Sequence, residues 1–150
     1  MASPPPSTDQ AAPGPALASA QDYNGNPHQS NNDIETFCEF TFEAAHKTPP
    51  YSDLHGHSFL VQVFMRGPSD PTFGWSHNLF EIEPIIQELR AMLDHRCLND
   101  VEGLSVPTLE NVARWLWHRL APRITGLDRI TVCRGREGQR EGTTYRGGVS

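Results

Sequence analysis

Three histidines, His46, His55 and His57, have the spacing of metal ligands. Side chains alternate between the two faces of a strand, so His55 and His57 point to the same side if their segment is extended. His46 ends an alternating run that begins at Phe37 and also predicts a strand. Two neighbouring strands would bring the three imidazoles together around Zn²⁺, with a fourth position left for water or substrate. The alternative is a pair of strand-end histidines facing solvent, because a His-x-His pair is short enough to occur by chance.

An adjacent acid and histidine, Asp94 and His95, form a second candidate site. An imidazole titrates near neutrality, and a neighbouring carboxylate can fix its tautomer and raise its basicity. The same pair is also compatible with a cap at the end of a helix. Thr108 and Glu110 have a structural interpretation as well, as the N-cap and an early residue of a helix.

Five ordered motifs run from about Thr36 to Gly148. They are Phe42-Glu43-Ala44-Ala45-His46, Leu54-His55-Gly56-His57-Ser58-Phe59, Leu93-Asp94-His95-Arg96-Cys97-Leu98-Asn99-Asp100, Pro107-Thr108-Leu109-Glu110-Asn111 and Tyr145-Arg146-Gly147. In this order they resemble the 6-pyruvoyl-tetrahydropterin synthase family, and most closely its 6-carboxytetrahydropterin synthase branch of the queuosine pathway. An ordered set of five motifs is far more specific than a single His-x-His pair.

The resemblance implies a role for each candidate residue. It implies that His46, His55 and His57 hold zinc, and that the metal polarises the side-chain hydroxyls or carbonyl of a dihydropterin-like substrate. Asp94 and His95 are implied to relay protons while triphosphate is eliminated and the side chain is remodelled. Thr108 and Glu110 are implied to lie near the bound pterin.

The resemblance also implies the assembly. Family members adopt the tunnelling fold (T-fold), in which subunits join their sheets into a barrel with active sites at subunit boundaries. We therefore expect a homo-oligomer, a hexamer or similar, that binds a small pterin-like molecule. Pairing between chains would also cover the exposed edges of a small open sheet.

Three features depart from the family pattern: Asn78-Leu79 stands where an Asp-Phe pair is usual, and the other two departures concern the reacting groups. The family has a cysteine four residues before the His-Gly-His segment, where this chain has Tyr51. A thiol ionises near pKa 8.5 and a phenol near pKa 10, so Tyr51 does not simply take over the role of the thiol. The family's pterin-anchoring glutamate aligns with Arg134, a charge reversal that favours an oxyanion or carbonyl edge of a ligand.

Substitutes for both missing groups are present nearby in the sequence. Asp53 and Cys97 are the candidates for the base in place of the thiol, and the resemblance includes family members that use a nearby acid instead of cysteine. Glu137 and Glu141 are the candidates for the pterin anchor, if the connection between the last two strands brings one of them into place. The sequence leaves these alternatives open.

Composition restricts the class of protein. A chain of 150 residues with 37% hydrophobic content is long enough for one domain with a single core. The net charge of -6 and the absence of a Lys or Arg run argue against a nucleic-acid binder. No stretch of 18 or more apolar residues predicts a membrane span. Three scattered cysteines without a CxxC pair indicate a reducing, cytoplasmic setting.

Residues 1–33 differ from the rest of the chain. They contain six of the thirteen prolines, many Ser, Ala, Gln and Asn residues, and neither Lys nor Arg. Such a segment buries too little apolar surface to offset its ordering entropy, and it lacks the basic start and apolar stretch of a signal peptide. We predict a disordered tail over 1–33 and a folded domain over 34–150.

Periodicity predicts an α+β domain in the order β-β-α-α-β-β with an antiparallel four-stranded sheet. One strand ends at His46, a second runs through Phe59, and a polar loop over residues 47–54 joins them. Helical spacing predicts a core-facing helix that ends at Asp94-His95, with Pro84 near its first turn, and a second helix that begins after Thr108. Residues 130–133 and 143–145 predict the final strand pair.

The predicted function is a zinc-dependent lyase of the 6-carboxytetrahydropterin synthase type, acting on dihydroneopterin triphosphate or a related pterin. The first alternative is a divergent enzyme that uses the same zinc on a different heterocycle selected by Arg134. The second is a non-catalytic pterin- or purine-binding protein, or an assembly subunit for a cysteine-bearing homologue. Activity on dihydroneopterin triphosphate distinguishes the first interpretation from the other two.

Overall fold

A computed structural model describes residues 33–148 of the chain. The elements are β1 (Ile34–Thr48), β2 (Tyr51–Gly67), α1 (Leu79–Leu93), β3 (Arg96–Cys97), a 3₁₀ turn (Leu98–Asp100), α2 (Leu109–Leu120), β4 (Leu127–Arg134) and β5 (Glu141–Tyr145). The predicted disordered tail, 1–33, lies outside the described residues apart from Asp33.

The strands form one sheet in the order β3-β1-β2-β4-β5. The four predicted strands are present and pair antiparallel, but the prediction of a four-stranded sheet is wrong by one strand. The extra strand, β3, pairs parallel with β1 at Ala44 and Ala45. The backbone N–H of His95 leads into it by donating to the carbonyl oxygen of Glu43 at 2.6 Å. A strand of two residues is too short to show a periodicity, so the sequence did not predict it.

The hairpin between β1 and β2 is longer than predicted. Residues 47–54 were expected to form a polar loop, yet the strands pair as far as Thr48 and Tyr51, and only Pro49 and Pro50 lie in the turn. Burial explains the extension, because the inward alternation of β1 continues through His46 to Thr48, both of which are buried. The polar side chains of this segment therefore belong to strands.

The two helices lie on one face of the sheet and enclose the core. α1 packs on β1, and α2 packs on β4 and β5. Their buried residues are Ile82, Ile86, Leu89, Leu93, Val112, Ala113, Trp115, Leu116 and Leu120, which meet strand residues such as Phe42, Phe59, Val61 and Val132. Neither helix in the described range has the length and apolar character needed to cross a membrane.

Both helices begin at capping residues. Oδ1 of Asn78 accepts from the N–H of Phe80 at 3.1 Å, and Oγ1 of Thr108 accepts from the N–H of Asn111 at 3.3 Å. Such caps satisfy backbone donors that have no partner inside the helix. The capping interpretation of Thr108 is therefore confirmed. Pro84 lies inside α1, beyond the first turn in which it was expected.

Candidate metal centre

The register of the first hairpin brings the three histidines together. His46 lies directly opposite His55, and Ala44 lies opposite His57, so all three imidazoles project from the helix-covered face of the sheet. Their ligand nitrogens lie within 4.8 Å of one another. The geometric part of the metal-site prediction, a cluster formed by adjacent strands, agrees with this arrangement.

Hydrogen bonds to backbone carbonyls set the tautomers of two histidines. Nδ1 of His46 lies 2.9 Å from the carbonyl oxygen of Pro107, and Nδ1 of His55 lies 2.9 Å from that of Asp53. A carbonyl oxygen only accepts, so each Nδ1 carries the proton and donates it. In the neutral ring Nε2 then has a free lone pair, which is the form that binds a metal.

The surroundings of His46 and His57 favour neutral imidazoles. Burial lowers the pKa of His46 and of His57, and the positive charge of Arg134 lowers both further. Within the described residues, Nε2 of His46 and Nε2 of His57 are buried side-chain nitrogens that have no hydrogen-bond partner. Unpartnered buried polar atoms are costly. A cation bound by these nitrogens would satisfy them, so the residues fit Zn²⁺ with three imidazole ligands and one open position.

Two clefts adjoin the triad and share His57. The first, here called the Tyr51 cleft, has a volume of about 570 Å³ and is lined by Pro50, Tyr51, Asp53, His55, His57 and Arg134. The second, the His95 cleft, has a volume of about 720 Å³, and its lining includes His57, His95, Arg96, Cys97 and Arg136. Both candidate bases are therefore placed beside the triad, Asp53 in one cleft and Cys97 in the other.

Asp94 and His95 form the predicted acid–histidine contact. Nδ1 of His95 lies 3.1 Å from Oδ1 of Asp94, which also accepts the N–H of Glu43 at 2.9 Å. That N–H holds the pKa of Asp94 below its usual range, and the charges of His95 and Arg90 act in the same direction. The His95 side chain is 79% exposed, so its ring reaches into the cleft.

The backbone of His95 adopts an unusual conformation. Its φ is 57°, which makes it the one non-glycine residue with a positive φ in the described part of the chain. Such backbone conformations cost energy and concentrate at functional sites. Here the conformation turns the chain from α1 into β3 and presents the imidazole beside its own carboxylate partner.

Arg134 lies at the end of β4, opposite Glu141 on β5. Its Nε donates to Oε1 of Glu141 at 2.5 Å. Glu137 and Glu141 were the candidates for the pterin anchor, and the register places Glu141 opposite Arg134. Which of the two would anchor a pterin stays a prediction. Of the two residues in the ion pair, Arg134 lines the Tyr51 cleft.

The other two predicted substrate-binding residues have separate surroundings. The Thr108 hydroxyl acts as the cap of α2, and Glu110 is exposed in the first turn of that helix. Neither residue lines the Tyr51 cleft or the His95 cleft. Their role near a bound pterin stays a prediction.

Sequence reasoning missed several residues around the site. Arg96 and Arg136 line the His95 cleft, while Asn99 and Asn111 bond to the backbone that surrounds His46. Asn99 and Asn111 belong to two of the five motifs that resemble the family, and that membership was the only indication of a role in the site. The bonds from Asn99 to Lys47 span 52 residues and could not be read from spacing.

The chain matches known proteins in sequence. The family model described as 6-pyruvoyl tetrahydropterin synthase matches residues 35–148. The dihydroneopterin monophosphate aldolase of Pyrococcus furiosus is 30% identical over 102 residues, which cover 65% of this chain and 86% of that protein. The 6-carboxy-5,6,7,8-tetrahydropterin synthase of Synechocystis is 33% identical over 109 residues, which cover 64% of this chain and 82% of that protein.

A solved structure agrees with the fold. The 6-pyruvoyl tetrahydropterin synthase of Caenorhabditis elegans superposes with a TM-score of 0.68 at 26% identity, covering 77% of this chain and 96% of that structure. The predicted α+β tunnelling fold is confirmed. With the family model matched over nearly all of the described residues, the chain belongs to the 6-pyruvoyl tetrahydropterin synthase family.

Proposed function

We propose that this chain is a zinc-dependent lyase of the 6-carboxytetrahydropterin synthase type that acts on dihydroneopterin triphosphate or a related pterin. The observation that carries the proposal is the convergence of His46, His55 and His57 beside two open clefts, with two buried Nε2 atoms unpartnered. When bound, zinc would supply a Lewis acid for a hydroxyl or carbonyl oxygen of the substrate. Zinc is proposed over other ions because its protein sites accept three imidazoles and keep one position open.

The proton relay is assigned to Asp94 and His95. Asp94 accepts from Nδ1 of His95, which leaves Nε2 of the neutral ring free to take a proton from a ligand in the His95 cleft. The N–H of Glu43 and the guanidinium of Arg90 hold the carboxylate in place at 2.9 Å and 3.1 Å. Asp53 and Cys97 are the proposed alternatives for the base that the family thiol supplies elsewhere.

A phosphate-bearing substrate fits the arginines of the His95 cleft. Three arginines have neither a carboxylate partner nor an aromatic ring beneath them within the described residues: Arg96, Arg136 and Arg140. Two of the three, Arg96 and Arg136, line this cleft in a chain whose net charge is -6. Guanidinium groups bind phosphate oxygens in a bidentate manner. We assign the polyphosphate of the substrate to this pair.

The heterocycle is assigned to the Tyr51 cleft, which is lined by Arg134, the ion-pair partner of Glu141. Glu141 offers an acceptor to an aminopterin's donor edge, whereas Arg134 offers donors to a carbonyl or oxyanion edge. Thr108 and Glu110 are proposed to contact the pterin from the start of α2. Because Arg134 stands at the family glutamate position, a second candidate function is the same zinc chemistry on a different heterocycle. A non-catalytic pterin- or purine-binding protein, or an assembly subunit, is the remaining alternative.

We further propose a cytoplasmic homo-oligomer that closes a barrel, a hexamer or similar. The outer edge of β1 pairs with β3 only at Ala44 and Ala45, and β5 forms the opposite edge of the sheet. Open edges of this length are normally covered by pairing with another chain. Cys38, Cys97 and Cys133 are all free thiols, which fits a reducing compartment.

Turnover of dihydroneopterin triphosphate by the purified, zinc-loaded chain tests the proposal. Mass spectrometry of the pterin products, together with a measurement of released triphosphate, should detect conversion that is lost in His57→Ala and in His95→Ala. Pterin binding without conversion would favour the non-catalytic alternative. If the protein neither binds nor converts the pterin, the proposed substrate class is wrong.

A further inference from the structure

We infer that Asn99 and Asn111 are positioning residues for the metal site: together they fix the backbone carbonyl that sets the tautomer and orientation of His46. The inference rests on the proposed zinc site. It gives a role to two motif residues that take no part in the proposed reaction.

Asn99 joins β1 to the segment that precedes α2. Its Oδ1 accepts the N–H of Lys47 at 2.8 Å, and its Nδ2 donates to the carbonyl oxygen of Lys47 at 3.0 Å. The same Nδ2 donates to the carbonyl oxygen of Ser105 at 3.2 Å. One amide therefore holds both backbone groups of the residue that follows His46, and it also holds the segment that reaches the His46 ring.

Asn111 holds that segment from the other side. Its Nδ2 donates to the carbonyl oxygen of Val106 at 2.8 Å, which also accepts the N–H of Thr108 at 3.0 Å. Two consecutive carbonyls, those of Ser105 and Val106, are thus fixed by side-chain amides. The next carbonyl, that of Pro107, accepts Nδ1–H of His46 at 2.9 Å.

The position of Pro107 matters because His46 is fully buried. A carbonyl that moved away would leave Nδ1–H of His46 without a partner, and the ring could then carry its proton on Nε2, the nitrogen needed for the metal. Groups that orient metal-bound imidazoles typically change metal affinity about 10- to 100-fold when removed. Among the hydrogen bonds of the described residues, none joins either asparagine to a triad imidazole, so each acts through the backbone.

The test compares Asn99→Ala and Asn111→Ala with Asn78→Ala in the full-length protein. Asn78 caps α1 away from the histidines, so its variant controls for loss of stability alone. The zinc Kd, measured by competition with a chelator, should rise about 10- to 100-fold in the first two variants and stay unchanged in the third. A wild-type Kd in both folded variants would overturn the inference.

A second measurement does not need a variant to fold. In the zinc-free wild-type protein, the ¹⁵N shifts of His46 should identify the Nδ1–H tautomer. The Nε2–H tautomer in the wild type would overturn the inference. If the wild type binds no zinc yet His46 is the Nδ1–H form, the proposed metal function fails while the positioning of His46 stands.

Discussion

Nε of Arg134 lies 2.5 Å from Oε1 of Glu141, across the β4–β5 pair. The guanidinium of Arg134 is therefore partly neutralised by a carboxylate from the next strand. The two groups prefer opposite edges of a heterocycle, a carbonyl edge for Arg134 and a donor edge for Glu141. Mutation can distinguish which one selects the substrate.

Wild-type turnover of dihydroneopterin triphosphate is expected to be weak, and Tyr51→Cys combined with Arg134→Glu is expected to raise it. The first change supplies a group that ionises near pKa 8.5 instead of near 10, and the second supplies an acceptor for the ring. Adding Glu141→Gln should raise it further, because two carboxylates at directly opposed strand positions repel each other. Steady-state rates of the single, double and triple variants give the comparison.

Brisk wild-type activity would contradict this expectation. Glu141 would then be the anchor already, and Glu141→Gln alone should abolish the activity while Glu137→Gln leaves it intact. If both variants keep the activity, neither glutamate is the pterin anchor.

Inorganic triphosphate should bind in the His95 cleft. Arg96→Ala and Arg136→Ala should each weaken its binding about 10- to 150-fold, because a charge-assisted hydrogen bond contributes about 1.5–3 kcal/mol. Arg140→Ala is the matched control, since Arg140 is exposed and lies outside both clefts. Calorimetric titration measures all four proteins. If Arg140→Ala weakens triphosphate binding equally, the attraction is a nonspecific one to the positive charge of the β4–β5 connection.

The ion pair between Glu35 and Arg129 should make the fold sensitive to acid. The hydrogen bond from Arg129 lowers the pKa of Glu35 to about 2 from the ordinary 4.5. A depressed pKa means that the stabilisation is present above pH 4.5 and is lost as the pH falls through 2. Glu35→Gln should therefore lower Tm at neutral pH, and its difference from the wild type should shrink over this window.

Glu39→Gln is the control for that experiment, because its carboxylate accepts from the neutral amide of Gln62. Thermal melts across the acid range should show a smaller change in pH dependence for this variant. A Glu35→Gln protein whose Tm difference stays constant with pH would contradict the assignment.

Gly126 should be far less tolerant of alanine than Gly138. Both have positive φ, 73° and 83°, so both variants carry a similar backbone penalty of about 1–2 kcal/mol. A Cβ at Gly126 would in addition overlap the carbonyl oxygen of Arg66, while one at Gly138 meets nothing within 4 Å. Gly126→Ala should lose about 1–3 kcal/mol more, measured by denaturant unfolding. Equal losses would show that this close approach does not constrain the fold.

The clustering of the three histidines was largely predictable from sequence because it depends on local alternation. His55 and His57 share a face by the period of a strand, and His46 ends a run with the same period. The sequence could not show that Nδ1 of His46 reaches Pro107, a residue in a different segment of the chain. Tautomer and orientation come from this long-range contact.

The remaining errors in the fold have similar causes. The two residues of β3 are too few for a pattern, and the polar residues 47–54 concealed an extension of the hairpin in which Thr48 is buried. The ion pair of Arg134 with Glu141 depends on the register of β4 with β5. The sequence does not show that register, so Glu137 and Glu141 were equivalent candidates. Each of these features is decided by tertiary pairing.

Zinc content is the most direct test of the central claim. The full-length protein, saturated with zinc and dialysed, should hold one zinc per chain by elemental analysis, and His46→Ala and His57→Ala should lose it. His118→Ala, on α2 and outside the triad, should retain it. A wild-type chain that binds no zinc, or triad variants that bind as much as the wild type, would contradict the account.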